Sequence, residues 1–267
     1  KGFPLAMRNL AIMLSEGEGV EKNEELSTEY YKLAAAKGDT QSIYICAQRL
    51  YWGIGIEMNK QKAIEYYKLA SKNNHIRSMT SLVHIYLTGD GASINEKKAL
   101  KYAKRAADFG DTKSMHNYAL LIQKNYENKK EEAIKYFKLA ADKGHTKSMY
   151  CYADILYKGD GIQMNRAEAA KYFKLAADNG DIFSMNRYAN MLHCEDGISQ
   201  NKIEESKYFR LAADKGHIDS MHSYALMLFR GDGIELNKKE AAKYFKLAAD
   251  KGNVNSMLCY ANMLKNG

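Results

Sequence analysis

Proline, tryptophan and long apolar stretches are nearly absent from this chain of 267 residues, which contains one proline and one tryptophan. Because proline breaks helices and Pro4 is the only one, almost the whole chain is free to form uninterrupted helices. No apolar run approaches the roughly 18 to 20 residues that a membrane-spanning helix needs. We therefore predict no insertion into a membrane.

Cysteine is also scarce, and the four that occur have no regular spacing: Cys46, Cys151, Cys194 and Cys259. Zinc sites and disulfide-rich extracellular scaffolds both need cysteines in regular pairs. The spacing argues against both classes, and we predict no bound metal and no cofactor. Free thiols that pack as small apolar groups are typical of a reducing compartment, so we expect a cytoplasmic protein.

The overall composition is that of a folded chain, with 46% hydrophobic and 27% charged residues. The formal net charge is +8 and the isoelectric point is about 9.0. A charge of this size has two explanations, which are a polyanionic partner and a composition that is simply rich in lysine.

An internal repeat accounts for nearly all of the sequence. A serine recurs at steps of 36 residues, with one step of 34, and alanine fills the same slot in the first unit. The units therefore begin near Ala6, Ser42, Ser78, Ser114, Ser148, Ser184, Ser220 and Ser256. Repeats of this length predict supersecondary units that bury a core only by stacking on their neighbours.

Each unit predicts two amphipathic helices, which we call helix A and helix B. Apolar residues fall at i, i+3, i+4 and i+7, for example from Met149 to Leu156 in helix A and from Ala63 to Ala70 in helix B. Glycines follow the helices and an asparagine precedes helix B, as expected for helix ends and N-caps. We predict an all-α solenoid of about seven and a half helix-turn-helix repeats, forming a single domain over residues 1–267.

Two units depart from this pattern. After Leu121 the Gly-x-Gly that ends helix A is missing, and this is the unit with the shortened step. In the unit that begins at Ser184, Glu195 replaces the first of these two glycines.

The motif Y-A-x-x-L-x-x-G-x-G-I-x-x-N followed by A-x-x-Y-F-K-L-A-A resembles the Sel1-like repeat, a relative of the tetratricopeptide repeat. It is carried most clearly by Tyr152, Ala153, Leu156, Gly159, Gly161 and Ile162, with Ala169, Tyr172, Phe173, Leu175 and Ala176. The resemblance implies a right-handed superhelix of antiparallel helix pairs, with helix A on the concave side. It covers nearly the whole chain.

Proteins with such repeats are mostly adaptors that assemble complexes, so the resemblance implies a scaffold that binds other proteins. The family has no common catalytic residue, and we predict no enzymatic activity. Because the last unit has a helix A and no helix B, we expect the native chain to continue at its C-terminal end.

One face of helix A carries the positions that vary between units, namely two, six and nine residues after the serine slot. These positions contain several aromatic residues and few charges, as interface cores do. We predict that they bind a peptide or protein segment in the concave groove. The candidate residues are Tyr44, Gln48, Tyr51, His84, Leu87, His116, Leu120, Tyr150, Asp154, Tyr157, Asn190, His193, His222, Leu226 and Phe229.

A second hypothesis uses helix B, where a basic residue recurs once per unit and stacked units would form a ridge. Such a ridge would bind a polyanion, either nucleic acid or an acidic cytoskeletal polymer. The competing interpretation is that these side chains only form a solvent-exposed face, whose positive charge is reduced by neighbouring acidic residues. The basic residues are Lys68, Lys104, Lys138, Lys174, Arg210 and Lys246.

Catalytic and metal-binding motifs are not found in the sequence. There is no H-E-x-x-H and no calcium or phosphate loop, which leaves only the hypothesis of a regulatory arm whose catalytic domain lies outside this chain. His75, His145 and His217 occupy a loop slot that aspartate fills in other units, which indicates a turn or cap role.

Overall fold

The computed structural model describes residues 3–266, and these residues form fifteen α-helices, one short 3-10 helix and no strand. They make two compact units, which divide between Glu127 and Asn128. The division falls in the repeat where the sequence lacks its Gly-x-Gly. The prediction of an all-helical fold, with eight helices A and seven helices B, is confirmed within the described residues.

Unit 1 contains seven helices, in which odd numbers are helices A and even numbers are helices B. They are α1 (Pro4–Glu16), α2 (Glu24–Ala36), α3 (Thr40–Trp52), α4 (Lys60–Lys72), α5 (Ile76–Thr88), α6 (Glu96–Asp108) and α7 (Thr112–Asn125). Each helix packs against the next one in the chain.

Unit 2 follows the 3-10 helix Glu127–Lys129 and contains eight helices, again with odd numbers for helices A. They are α8 (Lys130–Asp142), α9 (Thr146–Lys158), α10 (Arg166–Asp178), α11 (Ile182–His193), α12 (Lys202–Asp214), α13 (Ile218–Arg230), α14 (Lys238–Asp250) and α15 (Val254–Asn266). Consecutive helices pack against each other here as well.

The N-caps explain why the helices begin where they do. Most helices B start after an asparagine whose side chain accepts the N–H of the third helical residue, as Asn237 does from Glu240 at 2.9 Å. Six of the eight helices A start after an aspartate or histidine that accepts the N–H of the slot serine: Asp39, His75, Asp111, His145, Asp181 and His217. The cap role predicted for the three histidines is confirmed.

The core lies along the consensus faces of the helices. One alanine in each helix B, at the same repeat position, is 0% exposed: Ala34, Ala70, Ala106, Ala140, Ala176, Ala212 and Ala248. Their small side chains let helix B approach its helix A partners closely. In unit 2, tyrosine pairs such as Tyr188 and Tyr208 pack edge to face at 5.0 Å, and the hydroxyl of Tyr208 donates to Asp178 of the preceding repeat.

The histidine caps make stability depend on pH. Nδ1 of His217 accepts the N–H of Ser220 at 3.2 Å, so this nitrogen must be unprotonated. Burial lowers the pKa of His217, although the nearby Asp219 acts in the opposite direction. Since the folded pKa lies below the unfolded value of about 6.5, the unfolded chain takes up the proton first as the pH falls. The contribution of this cap is therefore complete above the unfolded pKa and is lost as the pH falls from there through the folded pKa.

We expect His217→Asp to remove this pH dependence, because aspartate caps three other helices A in the same slot. Between pH 7.5 and 5.5, urea unfolding should show that the wild type loses about 1 kcal/mol more stability than the variant. His84→Gln, which removes an exposed histidine from the middle of α5, should leave the wild-type slope unchanged. Equal slopes for the wild type and His217→Asp would contradict the cap as the source.

Candidate functional site

The four candidate residues two positions after the slot are buried or half-buried. Tyr44 is 7% exposed, and its ring centroid is 4.6 Å from that of His75 on the next repeat. His116 is also 7% exposed. These two predicted contact residues therefore offer almost no surface to a partner.

Tyr150 and His222 occupy the same slot and are half-buried. The ring of Tyr150 packs on Phe173 with centroids 5.8 Å apart, and Nδ1 of His222 lies 2.8 Å from the hydroxyl of Ser256. Burial lowers the pKa of His222, which favours the neutral ring. The slot therefore packs helix A on the following helix B at Tyr150 and on the next helix A at His222.

Two tyrosines nine positions after the slot fasten the loop of the following repeat. The hydroxyl of Tyr157 donates to Asp196 at 2.7 Å, and the same carboxylate pairs with Arg166. This hydrogen bond, together with burial, raises the pKa of Tyr157. Tyr51 donates to Asp90 in the same way and is only 4% exposed, so it too is a packing residue rather than a partner contact.

The remaining candidates are the accessible ones within each unit, and we call these residues the helix A face. In unit 1 it comprises Gln48, His84, Leu87 and Leu120, and in unit 2 Asp154, Asn190, His193, Leu226 and Phe229. Leu120 is 41% and Phe229 is 38% exposed. Asp154 is bound to Lys158 at 2.6 Å, so the face presents mainly uncharged polar, aromatic and aliphatic groups.

A cavity of about 210 Å³ opens within the unit 2 part of this face, between α11, α12 and α13. Its lining includes Glu205, which is 0% exposed. Sequence reasoning missed this residue, although the signal was present. The same slot holds a fully buried alanine in the neighbouring repeats, Ala169 and Ala241.

The basic residues of helix B are largely engaged within the protein. Lys138 pairs with Asp142 at 3.4 Å, Lys174 with Glu204 at 2.5 Å and Arg210 with Asp214 at 3.7 Å. The bond to Glu204 raises the pKa of Lys174. Lys104 lies over the ring of Tyr118, Lys68 is half-buried and Lys246 is exposed. Neighbouring acids thus neutralise three members of the predicted ridge.

Metal and membrane features are not seen in the part of the chain that the structure describes. No group of three or more histidine, cysteine, aspartate or glutamate side chains among residues 3–266 is arranged to hold a metal ion. No helix among these residues is long and apolar enough to cross a membrane. All four cysteines are free thiols, and burial raises the pKa of Cys46 to about 12 and that of Cys151 to about 11.

The helix pairs coincide with matches to the Sel1 repeat model at residues 4–39, 40–75, 80–111, 113–145, 146–181, 182–217 and 218–253. The chain belongs to the Sel1 repeat family. Sel1 repeat proteins generally act as scaffolds for protein interactions, and their solenoid is typically non-catalytic. The two shorter matches are 80–111 and 113–145, and the second contains the segment that lacks the Gly-x-Gly.

Solved Sel1 repeat structures share this fold. A protective antigen of uropathogenic Escherichia coli with an SLR fold superposes over 99% of this chain with a TM-score of 0.87 and 20% identity, and the chain spans 57% of that protein. A Sel1 repeat protein from Oxalobacter formigenes gives a TM-score of 0.74 at 20% identity, covering 98% of this chain and 77% of the other. No curated protein sequence matches the chain.

Proposed function

We propose that this protein is a non-enzymatic scaffold that binds a segment of another protein along the helix A face. The supporting observation is the accessible mixture of aromatic, aliphatic and uncharged polar groups on that face. Partly buried hydrogen bonds, such as that from Tyr157 to Asp196, hold the surrounding loops in place. A surface that is already ordered loses less conformational entropy when a partner binds.

The charge distribution favours this face over helix B. Interface cores are depleted in charged residues, and among the accessible candidates only Asp154 is acidic. The helix B cations Lys138, Lys174 and Arg210 already have carboxylate partners, so a polyanion would have to compete with them. The helix A face therefore has the stronger claim as the partner-binding surface.

Truncating the exposed apolar anchors should weaken partner binding. We expect Leu120→Ala combined with Phe229→Ala to cost more than about 1 kcal/mol, or roughly a fivefold loss of affinity, while helical content is retained. Partners captured from the source cell by the wild type would be identified by mass spectrometry. Their affinities for wild type and variant would then be compared directly.

The matched control changes helix B and leaves helix A intact. Arg210→Gln combined with Lys246→Gln removes two exposed cations and should not alter partner affinity at about 50 or about 300 mM salt. The scaffold proposal fails if the helix B variant loses the partners and the helix A variant keeps them, especially if binding disappears at high salt.

A further inference from the structure

The buried carboxylate of Glu205 is not fully satisfied by the protein. Its Oε1 accepts a hydrogen bond from Nδ1 of His193 at 2.7 Å. Its Oε2 lies 3.2 Å from the ammonium of Lys202, yet it accepts no hydrogen bond from any residue that the structure describes. Buried carboxylates are costly unless they are both paired and fully hydrogen-bonded, so this oxygen needs a further donor.

Asp232 adds a second carboxylate to the same cavity. One of its oxygens lies 3.1 Å from Lys202, so a single lysine is shared between two acids. In the preceding repeat the equivalent loop acid, Asp196, receives both Arg166 and the hydroxyl of Tyr157. Here the shorter His193 replaces the tyrosine and turns to Glu205 instead. The substitution leaves room at the loop acid and creates the cavity.

The size and lining of the cavity suit one side chain. At about 210 Å³ it is smaller than the roughly 300 to 1,000 Å³ of typical small-molecule sites. Phe209, Leu226 and Met227 supply apolar walls, and Glu205 and Asp232 supply the carboxylates. Long basic side chains have the matching construction, an apolar stem with a cationic donor at its tip.

We propose that this cavity, the Glu205 pocket, binds an arginine or lysine side chain from the partner segment that lies on the helix A face. The inference rests on the proposed function, because it identifies one anchor of that segment. The cationic tip pairs with the carboxylates of Glu205 and Asp232, while the stem packs on Leu226. The exposed Asn190 and His193 line the entrance.

A substitution of Arg230 tests whether the pocket binds a positively or a negatively charged side chain. It is exposed and lines the pocket, so its guanidinium repels a cationic ligand and would attract an anionic one. Arg230→Gln should therefore strengthen binding of a basic side chain several-fold. Weaker binding in this variant would show that the pocket recognises a carboxylate and would overturn the proposal.

The direct test uses a small probe with a neutral isostere. N-acetyl-arginine amide should shift amide resonances of α11 to α13 in the labelled protein, with a dissociation constant of about 1 to 10 mM. N-acetyl-citrulline amide, in which a neutral urea replaces the guanidinium, should bind at least tenfold more weakly. Equal shifts with the two probes, or none at these resonances with either, would overturn the proposal.

Glu205→Ala is the matched protein variant, since alanine fills this slot in both neighbouring repeats. It should remain folded and lose at least tenfold in affinity for the arginine probe, and unchanged affinity would overturn the proposal. The probe experiment is independent of partner capture. If the probe fails while Leu120→Ala with Phe229→Ala loses partners, only the pocket is wrong. If the probe binds while that variant keeps every partner, the scaffold surface is wrong.

Discussion

Replacing Gly233 with alanine is expected to lower the free energy of unfolding of unit 2 by about 2 to 5 kcal/mol. Gly233 has a φ of +76°, and a Cβ at this position would lie 2.2 Å from Cβ of Lys202 and 2.9 Å from its carbonyl carbon. These atoms belong to the first residue of α12 and cannot move by side-chain rotation. The loop and the helix must separate, which breaks the ion pair of Lys202 with Asp232.

Gly216→Ala is the matched control for this prediction. Gly216 has a φ of +98°, but a Cβ there would meet nothing within 4 Å. Alanine at this position suffers only the backbone strain, which is about 1 to 2 kcal/mol. Urea unfolding followed by circular dichroism would compare the two variants. Equal losses would mean that conformational strain alone, and not contact between repeats, makes Gly233 necessary.

The repeat period predicts the Gly-x-Gly loops between helix A and helix B. It does not show that the two glycines of a loop have different packing surroundings. A Cβ at Gly231, the first glycine, comes no closer than 3.2 Å to Leu236 of its own loop. The second glycine approaches a helix about thirty residues earlier in the chain. Sequence spacing shows where the chain turns, whereas this close approach depends on how one repeat stacks on another. For that reason the fold was predictable from the sequence and the close contact at Gly233 was not.

Sequence spacing was also insufficient to predict which side chains of helix A would be accessible. Helical periodicity correctly groups the variable positions on one side of helix A, and that is where the cavity opens. It does not show which of these side chains will be covered by packing, and for that reason the burial of Tyr44 and His116 was not predicted. Tyr51 is buried for a related reason, because it reaches the loop of the following repeat.

A residue whose type differs from its counterparts at the same repeat position indicates a local departure from the common packing, and the sequence analysis did not use this signal. Glu205 in an alanine slot marks the pocket of unit 2. Arg49 marks a polar core in unit 1, because the slot holds Ile85 in the next repeat and Met191 in unit 2. Comparing slots across units identifies both residues without a structure, although it does not reveal what they contact.

Arg49 is only 5% exposed and connects α1, α2 and α3. Its guanidinium donates to the hydroxyls of Thr28 at 2.8 Å, Ser15 at 3.0 Å and Ser27 at 3.1 Å. It also pairs with the carboxylate of Glu24 at 2.9 Å. A buried guanidinium is tolerated only when its donors are satisfied in this way. The first repeat is therefore held by a polar network where later repeats use apolar packing.

Arg49→Ala is expected to destabilise unit 1 by about 3 to 5 kcal/mol, because it removes the centre of a buried network and leaves a cavity. Thermal or urea unfolding would give the loss, and hydrogen exchange would place it in α1 to α3. Unit 2 supplies the internal control, since its amide protection should not change. A loss below about 1 kcal/mol would show that the network contributes little net stability.

A triple variant distinguishes the contribution of the polar network to stability from the contribution of side-chain volume. Arg49→Met with Ser27→Ala and Thr28→Ile installs the residues that other units carry in these slots, namely Met191, Ala63 and Ile64. Since buried ionic groups can often be replaced by packed apolar residues without loss, we expect stability within about 1 kcal/mol of the wild type or above it. Recovery would mean that the polar network is replaceable and that the first repeat retains the consensus geometry. Persistent instability would mean that the network itself sets how α1, α2 and α3 pack.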